Sequence, residues 1–304
     1  MIRKLLIGIC LFAAFSVSAQ NTLIPSVSNY HLAWTTYNPA FSGFRDAISL
    51  SAIYRSPLYG DVGPMDMQMN VHSPVGNSKV ALGAVVAYNN SPNQGLYSLM
   101  TTYAYRMYLG TGRLSLGLSA GLYGVNSDQT GLMIRDPGDP SFPNEIYNRW
   151  FPNFGVGVLY YTDKYFIGVS VPELMAIPGP DQKLSANPSD YRMIVTGAYL
   201  FDISRAFRLK PSFIVDYSKA ITGFKASLNV GLLDSRFFIG GAYDHPNYAI
   251  ALLNIQISPQ WLVGYAYTMG LSDVRKALGG SHEIVLRWEL RPVIKTIPDD
   301  PFYF

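Results

Sequence analysis

The stretch Arg113-Leu114-Ser115-Leu116-Gly117-Leu118-Ser119-Ala120-Gly121-Leu122-Tyr123 puts Leu114, Leu116, Leu118, Ala120 and Leu122 on one face of an extended chain. Arg113, Ser115, Gly117, Ser119 and Gly121 fall on the other. Successive side chains of a strand point to opposite faces, so this is a strand with one apolar and one polar side. The same alternation returns at Phe224, Ala226, Leu228, Val230 and Leu232 against Gly223, Lys225, Ser227 and Asn229. It returns again at Ile284, Leu286, Trp288 and Leu290 against Glu283, Arg287, Glu289 and Arg291. A soluble sandwich would bury the apolar face against a second sheet and leave the other wet. A membrane barrel turns the apolar face to lipid and the polar face to its lumen.

The amino-terminal end favours the barrel. Residues 1–19 read as a secretory signal, with Arg3 and Lys4, an apolar run from Leu5 to Phe15, and Val17-Ser18-Ala19 before Gln20. Cys10, the one cysteine of the chain, lies inside that leader and follows Ile9, where lipoprotein cleavage needs a small residue. The mature chain then holds no cysteine, and a barrel that pairs all its strands needs no disulfide staple. Beyond the leader no run of about eighteen apolar residues offers a membrane helix. The 22 Tyr, 16 Phe and 27 Gly with 14% charged residues suit strands whose aromatic ends sit at lipid–water interfaces. Removing Arg3 and Lys4 lowers the formal charge from +3 to +1. Lysine and arginine are spread rather than clustered, which sets aside DNA and RNA as partners.

Strands are expected near 46–55, 64–73, 79–88, 96–108, 113–125, 152–161, 164–171, 190–201, 207–217, 223–233, 236–244, 247–257, 261–269 and 281–291. This predicts an all-β, transmembrane antiparallel barrel of about fourteen strands over residues 45–291. Short turns and longer connections alternate, as in barrels with periplasmic turns and external loops. Both termini are then expected on the periplasmic side, with residues 292–304 as a tail whose Pro292, Pro298 and Pro301 oppose a further strand. Residues 20–44 break the pattern and carry aromatics that need burial, so a plug-like segment is expected there, including Tyr37, Asn38, Pro39 and Phe41. An arginine at lipid-facing Leu116 or Leu228 is expected to damage assembly more than one at Ser115 or Ser227.

Chemistry is sparse. His31, His72, His245 and His282 show no metal-ligand spacing. Gly110-Thr111-Gly112 and Gly155-Val156-Gly157 open no helix of a nucleotide-binding unit, and no nucleophile elbow occurs. Asp66, Arg106, Asp216, Lys225, Glu283, Arg287 and Glu289 fall on the polar face, where pairing across strands would neutralise them. Asp136-Pro137-Gly138-Asp139-Pro140 supplies too few oxygens for calcium and reads as a stiffened turn. No enzyme, metal or cofactor is expected.

Tyr37-Asn38-Pro39-Ala40-Phe41-Ser42-Gly43, Val71-His72-Ser73-Pro74, Asp136-Pro137-Gly138-Asp139-Pro140, the run from Pro152 to Pro172, and Ser281-His282-Glu283-Ile284-Val285-Leu286 resemble, in order and spacing, the PorP/SprF family of the type IX secretion system. The resemblance spans roughly residues 30–290. It departs at Thr35-Thr36, where larger apolar residues are expected, and in the tail. It implies an outer-membrane, non-enzymatic component that supports export or surface anchoring of a secreted protein, such as a gliding-motility adhesin. The client would be bound through its C-terminal sorting domain. Implied partners are that client, the secretion machinery, a periplasmic peptidoglycan-associated lipoprotein and outer-membrane lipid. The alternative is an outer-membrane channel for hydrophobic or small polar solutes, because a barrel of this size encloses a lumen. The longest connections, 126–151 and 172–189, are the expected client face, through Asp136, Asp139, Phe142, Tyr147, Trp150, Phe151 and Met175.

Overall fold

The computed structural model describes residues 27–58, 64–76, 79–91, 94–128, 146–175, 186, 191–204, 207–218, 222–233, 235–272 and 279–290. Its strands are β1 (Ile48–Pro57), β2 (Met65–Val75), β3 (Val80–Ser91), β4 (Gln94–Leu109), β5 (Gly112–Asp128), β6 (Ile146–Tyr161), β7 (Tyr165–Val171) and β8 (Met193–Tyr199). There follow β9 (Phe201–Ser204), β10 (Phe207–Tyr217), β11 (Thr222–Leu232), β12 (Phe237–Asp244), β13 (Tyr248–Gln256), β14 (Trp261–Gly270) and β15 (Ser281–Leu290). Each pairs antiparallel with its chain neighbours, except that β8 and β9 both pair with β10 and not with each other. The sheet closes where β1 meets β15 in a register from Ile48↔Leu290 to Pro57↔Ser281. The result is a closed barrel of fourteen staves, the number expected from sequence, with one extra strand.

The extra strand has a local cause. β8 pairs with β10 up to Ala198↔Ser212, and β9 resumes at Phe201↔Leu209. Between them β10 carries Pro211, which has no N–H to donate, so the ladder lapses there. On its other edge the Leu200 amide carries the β7 ladder one rung past Tyr165↔Tyr199, donating to the Lys164 carbonyl at 2.7 Å. β8 and β9 are therefore two halves of one stave.

Side chains alternate as the pattern requires. Leu116, Leu118 and Leu122 are exposed on the outer wall, whereas Ser115 is fully buried. Aromatic girdles bound the lipid-facing band. At the end with the longer loops the rings of Tyr88 and Tyr97 stack at 4.6 Å, and Trp150 lies 5.8 Å from Tyr97. At the turn end, Tyr165 stands between Tyr160 and Tyr199, and Trp261 faces Trp288. Trp150 and Tyr160 mark both girdles on β6. At a rise of about 3.3 Å per residue and a tilt of about 40°, they stand about 25 Å apart along the axis, the height of an outer-membrane apolar band.

One boundary differs from the sequence expectation. β6 begins at Ile146 rather than 152, and β5 runs on to Asp128, so both ends of the presumed loop 126–151 are paired strand. Asn148 to Phe151 lack clean alternation but continue the β5 ladder through Asn126↔Asn148 and Tyr123↔Phe151.

Leu118 lies midway between the girdles with its side chain toward lipid, so Leu118→Arg is expected to cost about 2–4 kcal/mol. The folded, heat-modifiable band on a gel should fall sharply for this variant and stay for Leu118→Val. Equal bands for the two would mean that this face does not meet lipid.

Candidate functional site

The interior is occupied by the chain's own residues 27–47, nearly all of them buried. Three short helical turns, Tyr30–Leu32, Trp34–Tyr37 and Pro39–Phe41, fold this segment. The last is set by sequence: the Asn38 side chain accepts the Ala40 amide at 2.9 Å and Pro39 occupies the first helical position. Trp34 stacks on Phe41 at 5.3 Å, and both rings pack edge-on against Phe166 of β7. Phe44 meets Tyr161 of β6 at 4.9 Å. This aromatic core replaces the water that a polar lumen would otherwise hold.

Polar contacts then fix the segment to inward-facing side chains around the wall. Glu283 of β15 accepts the Ser28 and Asn29 amides at 2.6 and 2.7 Å. Lys225 of β11 donates to the Val27 carbonyl at 2.8 Å and pairs with Asp244 across the ladder. Tyr30 hydroxyl bonds Ser212 and Ser227. Ser170 and Ser115 donate to the carbonyls of Tyr37 and Ala40, each at 2.7 Å. Asp46 takes Arg106 and Arg113 at 2.7 Å, one on each oxygen, and Arg45 pairs with Glu289. The expected pairing of lumen charges across strands holds for Arg55–Asp66 and Lys225–Asp244. Arg106, Glu283 and Glu289 spend their charge on the segment instead, which sequence reasoning missed because those partners are main-chain groups or remote in sequence.

Thr35-Thr36, polar where the family pattern led one to expect apolar residues, face Asn70, which accepts from Thr36 at 2.9 Å. Gly117 and Gly157 are required by close approach: a methyl at either would overlap the backbone of Ala40 or the carboxamide of Asn38. Burial pushes His31 well below the ordinary imidazole range, helped by the cations Lys210, Arg287 and Arg45, so it is neutral beside Asn254. Two cavities between segment and wall measure about 30 and 20 Å³, room for about one water each.

Tyr37, Asn38, Pro39 and Phe41 thus sit together in the interior. Asp136, Asp139 and Phe142 lie outside the described residues, and Tyr147 belongs to β6 rather than to a loop. Phe151, expected on a loop surface, is 4% exposed and packs inward against Tyr123, because the early start of β6 turns it to the lumen side. Trp150 is 54% exposed on the outer face, beside Tyr97 in the girdle. Met175 follows β7 and is tied to Asn153, whose side chain accepts its amide and donates to its carbonyl. His72 accepts the Gly43 amide, His245 stacks on Phe224, and His282 contacts Tyr265 hydroxyl. Among the described residues no three metal-ligand side chains gather.

Glu283→Ala strips the acceptor from two buried amides, a loss of about 1–3 kcal/mol for each group left unsatisfied. The barrel band on a gel should persist while the segment 27–47 becomes cleavable by protease; unchanged protection would show that the contact does not hold the segment. Ser115→Arg should act likewise, since Ala40 fills the space before it. The milder outcome expected for the polar face is therefore withdrawn for Ser115 and Ser227. His31 adds a pH term: its depressed folded value stabilises docking above the unfolded value of about 6.5, and that contribution is lost as pH falls below it. Protease sensitivity of the segment should rise between about pH 7 and 5 in the native protein and less so in His31→Gln.

Among solved structures the chain is similar to the Ralstonia pickettii toluene transporter TbuX, at 11% identity and a TM-score of 0.50 over 85% of this chain and 93% of that one. It is also similar to the CymD monoaromatic hydrocarbon channel, at 11% identity and 0.49 over 90% and 95%. The Acinetobacter baumannii outer membrane protein Omp33 follows at 9% identity and 0.48 over 81% and 99%. At such identities the likeness is one of fold. No curated protein matches the chain. The family model described as type IX secretion system membrane protein PorP/SprF matches residues 19–288, most of the chain. The chain therefore belongs to the PorP/SprF family of type IX secretion system membrane proteins, and it is an outer-membrane β-barrel.

Proposed function

We propose that this barrel supports the export and surface anchoring of a secreted protein, such as an adhesin, by holding its C-terminal sorting domain at the loop end. The observation that carries this reading is the interior filled by residues 27–47, in a chain whose family works in type IX secretion. A barrel packed with its own chain offers partners its ends rather than a passage. The segment acts as a plug. A leader ending at Ala19 directs the chain to export, which the start of the family match at residue 19 supports. The turn end, where β1 begins and β15 ends, faces the periplasm and offers itself to the machinery and a peptidoglycan-associated lipoprotein. The client face is the loop end, with Trp150 and Met175 at its rim and Asp136, Asp139, Phe142 and Tyr147 in or beside the longest connection. No catalytic role is assigned to any residue.

Two measurements test this. Deleting the gene should remove one or a few large polypeptides from the cell surface while general envelope composition stays. The purified barrel in a planar bilayer should pass little current, and a variant lacking residues 27–43 should pass much more. A large steady current in the intact protein, unchanged by that deletion, together with an unaltered surface, would establish the solute-channel alternative instead.

A further inference from the structure

Residues 27–47 do not lie at one level of the lumen; they run along it. On β15 alone, Glu283, third from the loop end, accepts the Ser28 and Asn29 amides at 2.6 and 2.7 Å, whereas Glu289, next to last at the turn end, pairs with Arg45. From position 283 to position 289 the strand rises about 20 Å, at about 3.3 Å per residue. Other staves agree at both levels. Near the loop end the Ser28 hydroxyl meets that of Thr268 at 3.0 Å, and Lys225 donates to the Val27 carbonyl while pairing with Asp244, the last residue of β12. Near the turn end Asp46 meets Arg113, the second residue of β5, and Phe44 packs on Tyr161, the last of β6. From Ala47 the chain passes into β1 at Ile48, also at the turn end.

The two ends of the segment are therefore held at opposite mouths of the barrel. One is fixed covalently, since residue 47 leads into the wall. The other is Val27, whose amide donates to the Tyr37 hydroxyl at 3.2 Å and whose carbonyl accepts from Lys225 at 2.8 Å. Between the two levels Trp34, Phe41 and Phe44 pack on Phe166. A chain returning from Val27 to the turn end would have to pass through that close-packed core.

We infer that the chain is threaded through its own barrel, so that the residues before Val27 emerge at the loop mouth, on the cell surface, rather than on the periplasmic side expected from sequence. The inference takes from the anchoring reading only that the loop end faces outward. It adds a chain end to the client face, a group that a secreted partner can engage through main-chain contacts. It also gives the plug a direction of release. Val27 to Asn29 are the first residues of the segment that a partner outside would reach, and the clasp of Glu283 and Lys225 is the first it would open. The turn end is locked by the passage into β1 and by the ion pairs of Arg45 and Asp46.

Cys10 is the chain's one cysteine and lies in the leader, so single cysteines in the full-length protein report sidedness through a membrane-impermeant maleimide applied to intact cells. Two exposed positions serve as references, Asn148→Cys at the loop end of β6 and Gln260→Cys at the turn between β13 and β14. The first should label in intact cells and the second only after the outer membrane is permeabilised. Ser26→Cys is expected to label as Asn148→Cys does. Ser28→Cys, buried, should stay unlabelled until Glu283→Ala opens the clasp, whereupon labelling from outside should rise about tenfold, while Ser42→Cys deeper in the segment stays protected. Labelling of Ser26→Cys only after permeabilisation, or in neither condition although the denatured protein reacts, overturns the inference. A Ser28→Cys that Glu283→Ala leaves closed, or opens only to reagent from the periplasm, overturns it as well; the Ser26→Cys result decides alone if the double variant does not assemble. Reversed labelling of the two reference positions sinks the outward orientation on which the anchoring reading depends, and the surface placement with it. Ser26→Cys that follows Gln260→Cys, with the references as expected, sinks the threading alone.

Discussion

Every backbone N–H and C=O that crosses a bilayer needs a partner inside the protein, and the architecture of this chain follows from that demand. A strand supplies its partners only through neighbours on both sides, so the sheet has to close, as it does between β1 and β15. Local exceptions obey the same rule. Where β7 ends early, Asn153 and the chain after Val171 take over.

Closure creates a second problem, an interior lined with charge. Outer walls tolerate no ionised groups at mid-depth, so Arg106, Lys225, Glu283, Arg287 and Glu289 all face inward and are nearly fully buried. Water could solvate them, but this barrel uses its own amino-terminal segment. The carboxylate of Glu283 meets amides, Asp46 meets two arginines, and the aromatic core of Trp34, Phe41, Phe44 and Phe166 fills the remaining space. Charged hydrogen bonds in such a setting are strong individually and expensive to break one at a time, which makes the segment a coherent unit.

The lining of this barrel is side-chain chemistry suited to the segment it encloses. Its inner face is matched to a peptide: Ser115, Ser170 and Lys225 donate to carbonyls, Glu283 accepts amides, and Gly117 and Gly157 make way for backbone.

Sequence alone determined the staves and their facing. Alternation at positions such as 114–122 and 224–232 is a period-two signal that lipid on one side and a polar lumen on the other leave little freedom to reinterpret. It also set residues 27–44 apart from the strand pattern, because Pro39, Asn38 and the clustered aromatics fit no strand. Tertiary structure decided what alternation cannot encode. The partners of Glu283 and Arg106 are hundreds or tens of residues away, and some are amides that every residue possesses. The early start of β6 is invisible in Asn148 to Phe151 because the pairing there comes from β5 and not from a pattern of its own. The contrast between the lengths of β6 and β7 exists only once the two lie side by side. Side-chain pattern is written along the chain, whereas hydrogen-bond supply is settled between neighbours in space.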